Sequence, residues 1–126
     1  MKVGLLHSLI RKEEKLLLEE FQVRGVDLRM IDDRNLIFDL ESIPDVDVVL
    51  ERSINHWRSM YGLRLLEAAG IYCINAAEVA KICGDKILTS VALKEADVRQ
   101  PPVRVAFTEA SALEALSLIH ISEPTR

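Results

Sequence analysis

Lys86 is the residue whose type and position best suit chemistry, within the segment INAAEVAKICGDKILT from Ile74 to Thr89. The pattern predicts two short helices separated by a glycine, with Asn75 and Glu78 at the spacing of a capping box on the first helix. Asp85 is placed to cap the second helix, so that Lys86 lies in its first turn. A lysine is unfavourable beside the positive end of a helix, and a bound anion would resolve that conflict. We therefore expect the Lys86 ammonium to meet an anion alongside free backbone N–H groups.

Each of the candidate binding residues has a structural alternative. A lone lysine in a first helical turn is usually solvated, which is the alternative for Lys86. Arg52 follows a predicted strand, where it would bind the carboxylate of an amino-acid substrate or, more simply, pair with a neighbouring acid at the sheet rim. Asn75 is a candidate for ligand contact, although a capping role would explain it fully.

His7, Asp32 and Asp33 also follow predicted strands, but the surrounding sequence favours structural roles for them. His7 has no serine or cysteine partner at a recognisable spacing, so we interpret it as a rim residue rather than a base. No GxGxxG follows the first strand and no GxxxxGK[ST] occurs, so the two aspartates are interpreted as turn acids rather than ribose ligands.

The elements that position these residues alternate between β and α at short spacing. Strands are predicted at 2–6, 26–31, 46–50 and 71–74, with a short edge strand at 35–40. Helices are predicted at 11–24, capped by Ser8 and ended by Gly25, and at 56–69, ended by Gly70. In the first helix Leu17, Leu18 and Phe21 should face inward, and the flanking Glu and Lys residues, Glu14 included, should face water. The order predicts an α/β fold, a Rossmann-like parallel sheet with flanking helices.

Composition excludes several classes of protein. The chain has 126 residues, of which 49% are apolar and 29% charged, as expected for a globular domain. The net charge of −4 and the lack of a basic, aromatic stripe argue against nucleic-acid binding. No apolar run is long enough to span a bilayer, and the N-terminal segment has no signal-peptide cleavage site. Cys73 and Cys83 lack metal-type spacing, and we expect both to be reduced and buried in a cytoplasmic protein.

The pattern changes after residue 99. Gln100, Pro101 and Pro102 predict a linker, followed by a strand at 103–106 and a helix at 109–115 capped by Thr108. We therefore divide the chain into a domain at 1–99 and the beginning of a second one at 100–115. Residues 116–126, LSLIHISEPTR, match the in-frame translation of a transposase-type sequencing-library adapter, and we expect them to be non-native read-through at a truncated end. Trp57, at the start of the second helix, is expected to pack in the core or between domains.

Two stretches resemble the N-terminal, pre-ATP-grasp domain of ATP-grasp ligases of the RimK/LysX type. They are the opening KVGLLHSLIRKEEKLL and the run VVLERSINHWRSMYGLRLLEAAGIYCINAAEVAKICGDKILT. The most specific part is N-x-x-x-V-x-x-x-C-G-D-K-x-x-T, from Asn75 to Thr89. The resemblance covers residues 1 to about 115, the first two-fifths of such an enzyme. It is nearest to the LysX branch, which joins α-aminoadipate to the carrier protein LysW in lysine biosynthesis.

The resemblance implies an enzyme that uses ATP and Mg²⁺. ATP phosphorylates a carboxylate, and an amine then attacks the acyl phosphate to form an amide. Lys86 is the residue to which the resemblance assigns ATP contact. Catalytic residues and Mg²⁺ ligands would lie outside this chain, which would be inactive alone. The implied partners are LysW or another amine or carboxylate substrate, and the full-length parent is expected to be a homo-oligomer.

Two alternatives stay open. Within the same class, a RimK-like glutamate ligase would modify a protein or a cofactor. From another class, the chain would be a stand-alone Rossmann-like module for binding, structural interaction or signalling. A receiver-type signalling domain needs an acidic cluster after its first strand and an aspartate after its third, where this chain has His7–Ser8 and Glu51–Arg52.

Overall fold

A computed structural model describes residues 1–37 and 42–120, except for the side chains of 119 and 120. The strands are β1 (Lys2–His7), β2 (Asp27–Asp32), β3 (Val48–Arg52) and β4 (Tyr72–Ile74). The helices are α1 (Lys12–Val23), α2 (His56–Ala68), α3 (Ala77–Gly84), α4 (Lys86–Glu95) and α5 (Glu109–His120). The chain divides into two compact units, Met1–Gly84 and Asp85–Arg126.

The first unit contains a four-stranded sheet in the order β2-β1-β3-β4, in which every neighbouring pair is parallel. This confirms the predicted Rossmann-like α/β fold with flanking helices. The β1–α1–β2 and β3–α2–β4 connections lead outward in opposite directions from the sheet centre. Right-handed crossovers therefore place α1 and α2 on opposite faces. Strands are added to one side of β1 first and then to the other, so the strand order reverses between the parallel strands β1 and β3. Ligands in such sheets bind in the crevice beyond the carboxyl ends of the two strands at the reversal.

The core lies around the two central strands. Leu5, Leu6 and Val49 are fully buried, and Leu63 and Leu66 of α2 pack on the same cluster as Leu6 and Val49. The two long helices end where the sequence indicated, because Gly25 and Gly70 adopt φ values of 62° and 83° that favour glycine.

Glu14 of α1 was predicted to face water, and this prediction is wrong. Its side chain is fully buried, because α1 starts at Lys12 and Glu14 turns back to hydrogen-bond the backbone N–H of Arg11, the N-cap residue. Ser8 consequently does not cap the helix, and its hydroxyl is used elsewhere. Trp57 is also not a core residue, since it is 61% exposed and stacks on Tyr61 one turn further along α2.

The predicted strand at 103–106 is not formed, because no strand in the described part of the chain pairs with it and an isolated strand leaves its backbone groups unpaired. For the edge strand predicted at 35–40, residues 35–37 form turn and coil, whereas 38–40 lie outside the described residues. Thr108 caps α5 as predicted, with its Oγ1 accepting a hydrogen bond from the Ser111 N–H at 3.2 Å. The helix continues past Ala115 to His120, into the segment expected to be non-native.

The second unit begins before α4, well ahead of the proline pair where we predicted a linker. No residue of α4 is buried, and its apolar side chains Ile87, Leu88 and Val91 are exposed. Assignment of residues 100–115 to an ATP-grasp domain stays a prediction. Among the helices in the described ranges, none combines the length and apolar character needed to cross a membrane.

Candidate functional site

Lys86 is the first residue of α4, in the position that the sequence predicted. Asp85 is the N-cap, and its Oδ1 accepts hydrogen bonds from the N–H groups of Ile87 at 2.8 Å and Leu88 at 3.0 Å. We expected free N–H groups beside Lys86, but these two are already bonded and are not available to an anion. The Asp85 carboxylate already faces the positive helix end. The Lys86 side chain is exposed, and its ammonium has no bond to any residue in the described ranges.

Gly84, the glycine between the two helices, precedes this helix start and has a packing role. It is the last residue of α3, and positive φ values among the glycines occur at Gly25 and Gly70 instead. A Cβ at position 84 would overlap Nδ1 of His56. The glycine therefore lets the first residue of α2 pack against the end of α3.

Asn75 does not cap α3, in contrast to the prediction. The helix begins at Ala77, whose N–H donates a 2.7 Å hydrogen bond to Oε1 of Glu67 in α2. Glu78, the other half of the predicted capping box, instead forms ion pairs with Arg64 at 2.7 Å and Lys81 at 3.1 Å. Asn75 is exposed and its side chain makes no bond within the part of the chain that is described. Capping of α3 therefore does not explain Asn75, and its side-chain amide is available to a ligand.

Arg52 pairs with a neighbouring acid, which confirms the structural alternative for this residue. Its Nη2 and Nε lie 2.8 and 3.0 Å from Oε1 of the buried Glu14. Arg11 holds the same carboxylate from the other side, with Nη2 at 2.9 Å from Oε1 and Nε at 3.0 Å from Oε2. Chiefly through the Arg11 hydrogen bond, the pKa of Glu14 falls to about 2, although burial alone would raise it. Glu14 is therefore ionised, and it occupies two of the N–H donors of Arg52.

A polar network joins the loops that follow β1, β2 and β3. The Ser8 hydroxyl donates to Oδ2 of Asp33 at 2.6 Å and accepts the N–H of Ile54 at 2.9 Å. Arg58, in the first turn of α2, places Nε 3.3 Å from Oδ1 of Asp33. Asp33 lies in the turn after β2, as predicted, and is also buried at the centre of this network. Arg58 was not predicted to be a site residue. The available signal was a basic residue in the first turn of a helix, as at Lys86.

Asp32 and His7 lie side by side at the ends of paired strands. Asp32 is a turn acid as predicted, since Nε and Nη2 of Arg34 lie 2.9 and 2.6 Å from its two oxygens. Chiefly the Arg34 hydrogen bond holds the pKa of Asp32 well below its usual range. His7 is buried between Asp32 and Arg52, and its Nδ1 has no hydrogen-bond partner among the described residues.

A groove of about 310 Å³ opens where these loops meet. It is lined by Ser8, Leu9, Arg34, Ile54, Asn55 and Arg58. The lining thus comes from the segments after β1, β2 and β3, at the crevice that the strand order creates. Two arginines and no carboxylate line it, and each arginine is paired with an aspartate that lies outside the lining.

The cysteines and the acids suit neither a disulfide nor, in the residues described, a metal site. Cys73 is buried, and burial raises the pKa of its thiol to about 11. Cys83 is exposed, which corrects the prediction that both thiols are buried. Within 1–37 and 42–120, no group of three or more His, Cys, Asp or Glu side chains is arranged to hold a metal ion.

Comparison with known proteins decides the family, because the sequence model of the LysX preATP-grasp domain matches residues 3–82. The chain belongs to the LysX preATP-grasp domain family. The predicted resemblance is therefore confirmed, and the matched range falls within the first unit.

Relatives of this preATP-grasp domain are ligases. The chain is 34% identical to the glutamate–LysW ligase ArgX of Sulfolobus acidocaldarius, covering 91% of this chain and 41% of the relative. It is 29% identical to the α-aminoadipate–LysW ligase LysX of Sulfurisphaera tokodaii, covering 90% and 42%. A crystal structure of an ATP-grasp RimK domain protein from Sphaerobacter thermophilus superposes with a TM-score of 0.81 at 29% identity, over 94% of this chain and 46% of that one. The chain thus spans about two-fifths of the length of these curated relatives.

Proposed function

We propose that this chain is the N-terminal part of an ATP-dependent carboxylate–amine ligase that forms an amide through an acyl phosphate. The observation that carries the proposal is the family match over residues 3–82, together with relatives named as LysW ligases. The fragment alone is proposed to be inactive, because the catalytic residues are proposed to lie outside this chain. The whole protein is proposed to be a cytoplasmic homo-oligomer, which light scattering and cell fractionation would test.

The proposed substrates are a dicarboxylic amino acid as the amine and the carrier protein LysW as the carboxylate. The sequence resemblance favoured α-aminoadipate. Glutamate is the second candidate, because identity with two glutamate–LysW ligases is 34% and 35%, against 29% and 28% with two α-aminoadipate–LysW ligases. A RimK-like ligase that adds glutamate to a protein or a cofactor is the third candidate, supported by the structural similarity to the RimK domain protein of Sphaerobacter thermophilus.

Lys86 is proposed to contact a phosphate of ATP. Support comes from its exposed ammonium, which forms no bond with a described residue, and from Asp85, which fixes the start of the helix that carries it. An ammonium beside phosphate oxygens offsets their charge as the phosphoryl group is transferred. Mg²⁺, when bound, would neutralise further charge there, and its ligands are proposed to lie outside this chain.

The first test is to read the source DNA past the codon for Ala115 after an independent amplification. We expect the frame to continue into a second lysine, a glycine-rich lid and a carboxylate–x–Asn metal motif. The complete reading frame would then be assayed for ADP release with ATP, Mg²⁺, LysW and either amino acid. A stop codon directly after Arg126 in the genomic DNA would contradict the proposal.

Substitution of Lys86 tests its role in that full-length enzyme. Lys86→Met should raise the KM for ATP by about tenfold or more, the cost of losing a charged hydrogen bond. Lys81→Met is the matched control, because Lys81 is an exposed lysine of the preceding helix that already pairs with Glu78. Equal kinetics for the two variants would remove Lys86 from the ATP site.

A further inference from the structure

The groove beyond the carboxyl ends of β1 and β3 has a use that the proposed function does not assign. We propose that Arg34 and Arg58 bind the side-chain carboxylate of the dicarboxylic amino-acid substrate in this groove. The inference rests on the proposed function for the identity of the ligand. It assigns to the amino acid residues other than Lys86, which is proposed to contact ATP.

The groove lies where the strand order of the sheet reverses. The strand order β2-β1-β3-β4 reverses between β1 and β3, and the loop residues Ser8, Leu9 and Ile54 that line the groove follow these two strands. Open α/β sheets bind ligands at this reversal point. The volume of about 310 Å³ lies at the small end of ligand pockets, which span about 300–1,000 Å³. An amino acid suits this size better than a nucleotide does.

An aspartate neighbours each of the two guanidinium groups. Asp32 accepts hydrogen bonds from Nε and Nη2 of Arg34, whereas Asp33 forms an ion pair with Arg58, with 3.3 Å between Oδ1 and Nε. Neither aspartate lines the groove, whereas both arginines do. The acids therefore orient the arginines while leaving further N–H donors, and the two side chains are 48% and 46% exposed. A planar guanidinium with free donors is suited to a carboxylate.

The neighbouring charges distinguish Arg58 from Arg52. Arg58 lies in the first turn of α2, whose N-cap Asn55 also lines the groove, and Asp33 at 3.3 Å offsets the unfavourable placement of a cation at that helix end. Arg52, which the sequence suggested for this role, is engaged by Glu14. The carboxylate site is thus built from Arg34 and Arg58, and Arg52 instead anchors the adjacent strand end.

Binding is tested by NMR on the ¹⁵N-labelled 126-residue chain. Titration with glutamate or α-aminoadipate should give saturable shifts at the amides of Ser8, Leu9, Ile54 and Asn55. Glutamine, which differs from glutamate in lacking the side-chain charge, should bind about tenfold more weakly. Inorganic phosphate and ATP serve as competitors, and equal affinity for phosphate would overturn the carboxylate assignment in favour of a general anion site.

Variants locate the contact. Arg34→Gln and Arg58→Lys should each weaken binding by about tenfold, and the lysine keeps a charge beside the buried Asp33 so that the variant folds. The control is Arg64→Gln, an arginine of the same helix that is 53% exposed and paired with Glu78, which should bind like the parent chain. Well-dispersed spectra establish that each variant is folded.

Absence of groove shifts at about 10 mM of either amino acid, tenfold above a Kd of about 1 mM, would overturn the inference. Equal weakening by Arg64→Gln would do the same, since it would show a nonspecific charge effect. ADP formation by the full-length enzyme decides the proposed function separately. An active ligase whose Arg34 and Arg58 variants keep the parental KM for the amino acid would leave that function intact and remove this site.

Discussion

Glu14 carries its charge in a fully buried position, and the arginines that hold it come from different parts of the chain. Arg11 lies in the turn before α1, and Arg52 is the last residue of β3. Three atoms of Arg11 and two of Arg52 contact the carboxylate. The carboxylate therefore links α1 to the end of a central strand. Glu14 is the one buried residue of α1, whereas the apolar Leu17, Leu18 and Phe21 are half-buried.

Replacing Glu14 by glutamine should destabilise the chain by about 2–4 kcal/mol, because the two arginines would keep their charges beside a neutral amide. Urea unfolding followed by circular dichroism measures the change. Glu13→Gln is the matched control, since Glu13 is an exposed neighbour in the same helical turn and should cost no more than about 0.5 kcal/mol. Equal midpoints for the two variants would contradict the structural role of Glu14.

The same carboxylate predicts a pH dependence of the free energy of unfolding. The pKa of Glu14 is lowered from 4.5 to about 2 in the folded chain, so its ionised form is favoured by folding. The resulting stability is present above pH 4.5 and is lost as the pH falls towards 2. The melting temperature of the parent chain should therefore drop more steeply over this range than that of Glu14→Gln. Parallel curves would show that the ion pairs do not contribute.

Gly84→Ala should destabilise the first unit, because the new Cβ would overlap Nδ1 of His56. Displacing the imidazole should cost about 1–3 kcal/mol, which thermal unfolding would register. The double variant His56→Ala/Gly84→Ala should recover most of the loss, measured against His56→Ala alone. Absence of recovery would mean that the glycine is needed for its backbone and not for this close approach.

At the scale of the elements, α3 shows why helix faces were harder to predict than helix positions. Its apolar residues Val79, Ile82 and Cys83 have the i, i+3, i+4 spacing of an inward face, but Ala77 is the buried residue and Ala80 packs on the core. Small side chains let α3 approach α2 closely, and this depends on a neighbour that the local pattern does not contain. Val79 and Cys83 consequently remain exposed.

Thiol labelling tests the orientation of α3. Cys83 should react with a disulfide reagent in the native chain, whereas Cys73 should react only after unfolding, because it is buried and its raised pKa disfavours the thiolate. We expect one fast equivalent per chain. Cys83→Ser should abolish the fast phase and Cys73→Ser should not, and two fast equivalents in the parent chain would contradict the packing.

For the whole molecule, the sequence predicted the four parallel strands and the long helices, because their apolar periodicity and terminal glycines are local signals. It failed for the strand at 103–106, whose formation needs a partner strand, and for Glu14, whose burial needs Arg52. The candidate site was predicted in part. The sequence located the strand ends, but it did not predict the network of Ser8, Asp33 and Arg58, because these residues are distant in sequence. Pairings between loops are not encoded in local spacing.

The central position of β1 has a consequence during synthesis. It is translated before its neighbour β3, which follows only after α1 and β2. At roughly 5–20 residues per second, the interval is on the order of seconds. Throughout it Leu5 and Leu6, fully buried in the finished fold, have one flank of their strand unpaired. The nascent chain therefore exposes an apolar strand at the stage when ribosome-associated chaperones act.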